Sequence, residues 1–130
     1  MAKINIELIG EANRKTVNRL YSNLISAGSL LLLQRTDDKD KKQQLLIETG
    51  CIECLEVHEE VSAFVQKCKH ILHVLKAYAC FRYVEWSLLI TVISDDETIH
   101  PSACLSSDTI HFLSELNADV GFLYYTIGEY

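Results

Sequence analysis

Between residues 3 and 25 the spacing of apolar side chains changes from every second residue to every third or fourth. That switch restricts the chain to a fold that packs helices on a sheet. In KINIELI, residues 3–9, Ile4, Ile6 and Leu8 alternate with Lys3, Asn5 and Glu7. Period two is the mark of a strand with one face on the core, and Gly10 reads as its end. Val17, Leu20, Tyr21, Leu24 and Ile25 then recur at helical spacing across residues 11–27. Arg14, Lys15, Asn18 and Arg19 cover the other side, Glu11 stands four residues before Lys15 as a supporting pair, and Gly28 is a natural stop.

The rest of the chain repeats these two patterns. Ser29 to Gln34 and Gln44 to Thr49 are short apolar runs, read as strands, and RTDDKDKKQ between them reads as a solvated loop. Val61, Phe64, Val65, Cys68, Ile71, Leu72, Leu75 and Tyr78 form one apolar stripe, which predicts a single long helix over residues 56–78. WSLLITVI, residues 86–93, is apolar on both faces and reads as a central, buried strand. Ser106 or Ser107 can cap a further helix, with Asp108 at its positive end. Ile110, Leu113 and Leu116 face inward, and Asn117-Ala118 ends it. VGFLYYTI, residues 120–127, closes the chain as a strand. The order β-α-β-β-α-β-α-β is that of an α+β fold: residues 1–130 as a single domain, with about three helices on a largely antiparallel sheet. A strand such as 3–9, if it lay at an edge, could pair with another chain.

A chain of 130 residues with 48% hydrophobic and 23% charged residues can bury a core without staples. No apolar run approaches the roughly 20 residues of a membrane span, and MAKINIELIG lacks the apolar stretch of a signal peptide. A cytoplasmic chain without a membrane partner is therefore expected. The five cysteines are an odd number without framework spacing and read as free thiols. A net charge of −6 argues against nucleic acid, whose phosphates need clustered Lys and Arg, and favours a basic protein as partner.

CIECLEVHEE, residues 51–60, is the stretch that most suggests chemistry. Cys51, Cys54 and His58 would supply three zinc ligands and Cys68 or His70 a fourth, but a strong structural zinc signal has a second tight pair, and the chain has none. The stretch is read as packing at an element boundary, with Cys51, Cys54 and His58 as the runner-up metal set and no cofactor expected. His70 and His73 read as surface residues on one helix. Cys104 near His100 has no orienting third group, and Asp95, Asp96 and Glu97 lack the pattern of a calcium loop. No P-loop, dinucleotide fingerprint, nucleophile elbow or zincin motif occurs, so no catalytic residue is named and an enzyme is not expected.

The segment from Trp86 to Ile127 brings a known pattern together. Leu105-Ser106 opens a short helix, Phe112-Leu113 with Leu116 forms its body, Asn117-Ala118 ends it, and Phe122, Tyr124 and Tyr125 lie on an alternating last strand. This resembles a family of small bacterial α+β domains of unassigned function, similar to immunity proteins of polymorphic-toxin and contact-dependent growth inhibition systems. The resemblance implies a protein that binds the C-terminal domain of a cognate toxin; the acidity suits a basic nuclease as that toxin, and a monomer or homodimer is expected. The acidic positions nominated for that contact are Asp37, Asp38, Asp40, Glu56, Glu59, Glu60, Asp95, Asp96 and Glu97, with Tyr125 and Tyr130 as aromatic anchors. The alternative is a small-molecule-binding or regulatory domain, which would need a sizeable apolar pocket.

Overall fold

The opening alternation builds a strand, and the strand runs further than its pattern suggested. In a computed structural model, which describes residues 2–27, 32–37, 42–54, 56–81, 84–94 and 105–126 (backbone alone for 2, 32–37, 42, 54, 80, 81 and 126), β1 spans Ala2–Asn13. It continues straight through Gly10, where the ring of the cross-strand residue Trp86 occupies the space a side chain would need. Glu11 therefore belongs to the strand and not to a helical pair with Lys15. Its carboxylate accepts from Gln44 Nε2 at 3.2 Å. Asn13 ends the strand and caps α1 (Arg14–Ser26), its Oδ1 accepting from the Thr16 N–H at 2.9 Å.

The remaining elements are β2 (Leu32–Asp37), β3 (Lys42–Glu48), β4 (Ile52–Cys54), α2 (Val57–Lys69), α3 (Leu72–Phe81), β5 (Glu85–Ser94), α4 (Ser107–Leu116) and β6 (Asp119–Thr126). The α+β class is as expected, and the differences are local. The hairpin strands β2 and β3 reach into the charged run, taking Arg35, Thr36, Asp37 and Lys42 out of the expected loop. Residues 29–31, the middle of that loop and residues 95–104, with His100 and Cys104, lie outside the described residues.

The stripe from Val61 to Tyr78 is carried by two helices, not one. At His70 and Ile71 the backbone N–H groups bond three residues back, to Lys67 O at 3.3 Å and Cys68 O at 3.0 Å. This tightened turn re-aims the chain while keeping Cys68, Ile71, Leu75 and Tyr78 on the buried side. His70 caps α2 and His73 lies on α3, so the two do not share a helix.

Six strands form one sheet in the order β2-β3-β1-β5-β6, with β4 also on β1. Every pair is antiparallel except β5 and β6, which run parallel and are joined through α4. The strand at residues 3–9 is thus central, and the outer strands among those described are β2 and β6. Ile4, Ile6 and Leu8 of β1, Leu45 and Ile47 of β3, and Trp86, Leu88, Ile90 and Val92 of β5 point to one face. There they meet Val17, Leu20 and Leu24 of α1, Phe64 and Val65 of α2, Leu75 of α3, and Phe112 and Leu116 of α4 in one apolar cluster. Each fully buried Leu, Ile or Phe stabilises the fold by about 1.5–3 kcal/mol, so this shared face is what fixes the helices on the sheet.

Candidate interaction surface

All four described helices pack on that one face, and among the described residues no element covers the other face of the sheet. Its residues are the odd-numbered positions of β1 and β5, the even-numbered positions of β3, and Gly121, Leu123 and Tyr125 of β6. Cross-strand register sets them in rows. Leu46, Ile9, Ser87 and Asp119 form one row; Glu48, Glu7, Leu89 and Gly121 form the next. Glu53, Lys3, Ile93 and Tyr125 form the row near the start of β1. Ile9, Leu46, Leu89 and Ile93 are half-buried, Leu123 and Tyr125 are exposed, and none of them joins the helix-side core.

Carboxylates are set into this apolar field. Glu7 stands directly across from Glu48, a like-charge pairing that disfavours the sheet. Partial burial, and secondly the Glu48 charge, raise the Glu7 pKa above its ordinary 4.5. Asn5 Nδ2 donates to Glu7 Oε1 at 3.2 Å and holds the carboxylate in place. Glu11 and Glu85 face each other at the far end of the face. The surface offers apolar contact with acidic positions inside it, with Lys3 at one end and the position of Lys42, across from Asn13, at the other.

Several residues nominated from sequence lie elsewhere. Glu56, Glu59 and Glu60 sit at the start of α2, where Glu59 and Glu60 complement the positive helix end, and Glu56 lies 3.3 Å from His58 Nδ1. Asp38, Asp40, Asp95, Asp96, Glu97 and Tyr130 lie outside the described residues, as does the side chain of Asp37. The residues that sequence reasoning passed over are Ile9, Leu46, Leu89, Ile93 and Leu123. For Leu89 and Ile93 the signal lies in WSLLITVI, whose apolar second face reads as buried. Leu89 and Ile93 are instead half-buried on an uncovered sheet.

The C-x-x-C stretch has a backbone explanation. β3 and β4 are one strand interrupted by a bulge: β1 residues 7–13 pair with 42–48, residues 2–4 with 52–54, and the register shifts by one residue between them. Gly50 takes the left-handed conformation the extra residue demands, with φ at 74°. Thr49 stitches the gap: its Oγ1 accepts from the Ile6 N–H at 3.2 Å and donates to Gly50 O at 2.7 Å. Cys51 is exposed at this bend and Cys54 belongs to β4, its side chain outside the described residues. Among the described residues, no three His, Cys, Asp or Glu side chains approach as a metal site. Cys68 is buried in the core, and burial pushes its thiol up to about 12.

A cavity of about 260 Å³ lies between α2 and the start of α4, lined by Ser62, Val65, Gln66, Ser106, Asp108 and neighbouring residues. Its polar groups already serve one another. Ser106 Oγ caps α4, accepting from the Thr109 N–H at 3.2 Å, and Asp108 takes Gln66 at 3.3 Å and Lys69 at 3.3 Å. These contacts dock α4 on α2.

No protein-family model, no curated protein and no solved structure matches this chain. No described helix is long and apolar enough to cross a membrane.

Proposed function

We propose that this chain is an immunity protein that binds a cognate bacterial toxin domain and neutralises it by covering a surface the toxin needs. The observation that carries this reading is the uncovered sheet face, where Ile9, Leu46, Leu89, Ile93, Leu123 and Tyr125 surround the Glu7–Glu48 pair. Apolar and aromatic side chains supply most of the contact energy in an interface, and charges among them select the partner. A face of this composition suits a partner that presents Lys or Arg within apolar surface, as a nuclease domain does. The net charge of −6 would speed the encounter with such a partner, and exposed Glu53, Glu56 and Glu59 add to that field without needing to touch it.

The reading is tested by expressing the C-terminal domain encoded next to this gene under tight control, with and without this protein. Restored growth is the expected result, and Leu46→Lys, placed on the open face, is expected to abolish rescue while the circular dichroism spectrum is kept. A neighbouring domain that is harmless, or rescue that persists with Leu46→Lys and Leu89→Lys alike, would count against it.

A further inference from the structure

The two outer strands of the sheet differ in how they are guarded. β2 reads LLQRTD and carries Arg35 and Asp37, whereas β6 reads DVGFLYYT, with charge only at Asp119. An outer strand leaves a row of backbone donors and acceptors unpaired by the sheet, and proteins that stay single normally blunt it with charge, proline or a bulge. From Val120 to Thr126 β6 has none of these. It is also apolar on both sides of its edge: Val120 on the helix side is 46% exposed, and Leu123 and Tyr125 on the open side are 41% and 54% exposed.

We infer that β6 is the contact between two copies of this chain, paired antiparallel about a twofold axis at Leu123. The sequence of the strand is self-complementary in that register. Leu123 meets Leu123 of the second copy, and Phe122 meets Tyr124. Tyr125 lies across from Gly121, whose missing side chain leaves room for an aromatic ring on the open face. The strand's self-complementary register favours a second copy as the occupant, and charge favours this edge over the open face as the place where copies meet. In a chain of net charge −6, contacts between copies through the open face would set Glu7, Glu48, Glu11 and Glu85 against their own kind. In the β6 register no charged residues oppose one another, and the two Asp119 carboxylates fall at opposite ends. The pairing extends the sheet in its own plane, so the open face stays uncovered and is presented twice. This inference does not depend on the toxin reading, because it is tested on the purified chain alone.

Sedimentation equilibrium of the full chain across the micromolar range is expected to give twice the chain mass of 14.8 kDa. Leu123→Lys should return the mass to one chain, and Ile110→Lys, at an exposed position of α4, should leave the dimer intact. Directly opposed residues of paired strands have Cα atoms about 4.5–5.5 Å apart, within reach of a disulfide. Leu123→Cys in a Cys51→Ser background should therefore give a covalent dimer under mild oxidation, where Ile110→Cys and the Cys51→Ser parent do not. This second variant carries the test even if lysine at 123 disturbs folding. A single-chain mass at every concentration, a dimer unmoved by Leu123→Lys, or Leu123→Cys that stays uncrosslinked would each overturn the inference. So would a β6 edge that becomes protected only when a toxin domain is added.

Discussion

The six-membered ring of Trp86 lies on the α-carbon of Gly10, its cross-strand partner: a Cβ at position 10 would stand 2.7 Å from Cζ3 and 2.9 Å from Cη2. The tryptophan is 3% exposed, so the ring has nowhere to go without moving the helices above it. Gly10→Ala is expected to cost about 1–3 kcal/mol through overpacking. The cost should shrink in a Trp86→Phe background, which removes the far ring, and the double-mutant cycle measures that coupling. Trp86 is the sole tryptophan, so its fluorescence in urea titrations reports unfolding of this contact directly.

The bulge at Gly50 gives a second expectation. Its φ of 74° strains any residue with a side chain, and a β-branched one most. Gly50→Val should lower stability by about 1–3 kcal/mol, and Gly50→Asn by less, since Asn tolerates the left-handed region. Equal losses from Val and Asn would mean that something other than backbone conformation is responsible.

Glu7 supplies a pH dependence. Its pKa is raised in the folded chain, by burial first and the Glu48 charge second. The ionised form therefore opposes folding, and this opposition is complete above the raised pKa and absent below the ordinary 4.5. Glu7→Gln should be more stable than the parent at pH 7. The difference should decline as pH falls through the raised pKa and vanish below 4.5. Urea midpoints for the two proteins at pH 7 and pH 4 check the sign.

The thiols should separate by burial. Cys51 is exposed at the bulge, while Cys68 is buried with its pKa pushed up to about 12. Maleimide at neutral pH is expected to label Cys51 in the folded chain and to reach Cys68 only after denaturant is added, because the thiolate is the reactive form. Peptide mapping by mass spectrometry distinguishes the two. Labelling of Cys68 at the rate of Cys51 would mean that α2 opens readily.

Ser106 caps α4 and also meets Thr109 Oγ1 at 3.0 Å. Ser106→Ala should cost about 0.5–2 kcal/mol. Because α4 joins the two parallel strands, hydrogen exchange should quicken in β6 as well as in the helix, and exchange confined to α4 would show that the helix frays without loosening the strand.

Local chemistry was readable in several places. Ser106 does cap α4, and Asp108 does sit in its first turn. Asn117 does end that helix, in the left-handed conformation with φ at 51°. These are short-range devices, set by residues within one turn of one another. The break at His70 was not readable, because no glycine or proline marks it and the apolar stripe crosses it without interruption. The bulge was not readable either: Gly50 was visible, but a one-residue shift in register has meaning only once β1 is the common partner of both halves. The candidate surface was half legible. Tyr125 was nominated and is exposed, whereas the acidic groups nominated beside it at 56, 59 and 60 belong to the start of α2.

The sequence by itself determined the α+β class, the cap and stop of α4 and the inward face of β1, because periodicity and capping act over a few residues and leave their mark in a few residues. Tertiary structure alone decided that β1 is central, that β2 and β6 are the edges, and that the second face of β5 is left open. Those outcomes depend on which strands meet and on which side four helices find room, a competition among distant apolar surfaces that no single stretch of chain records.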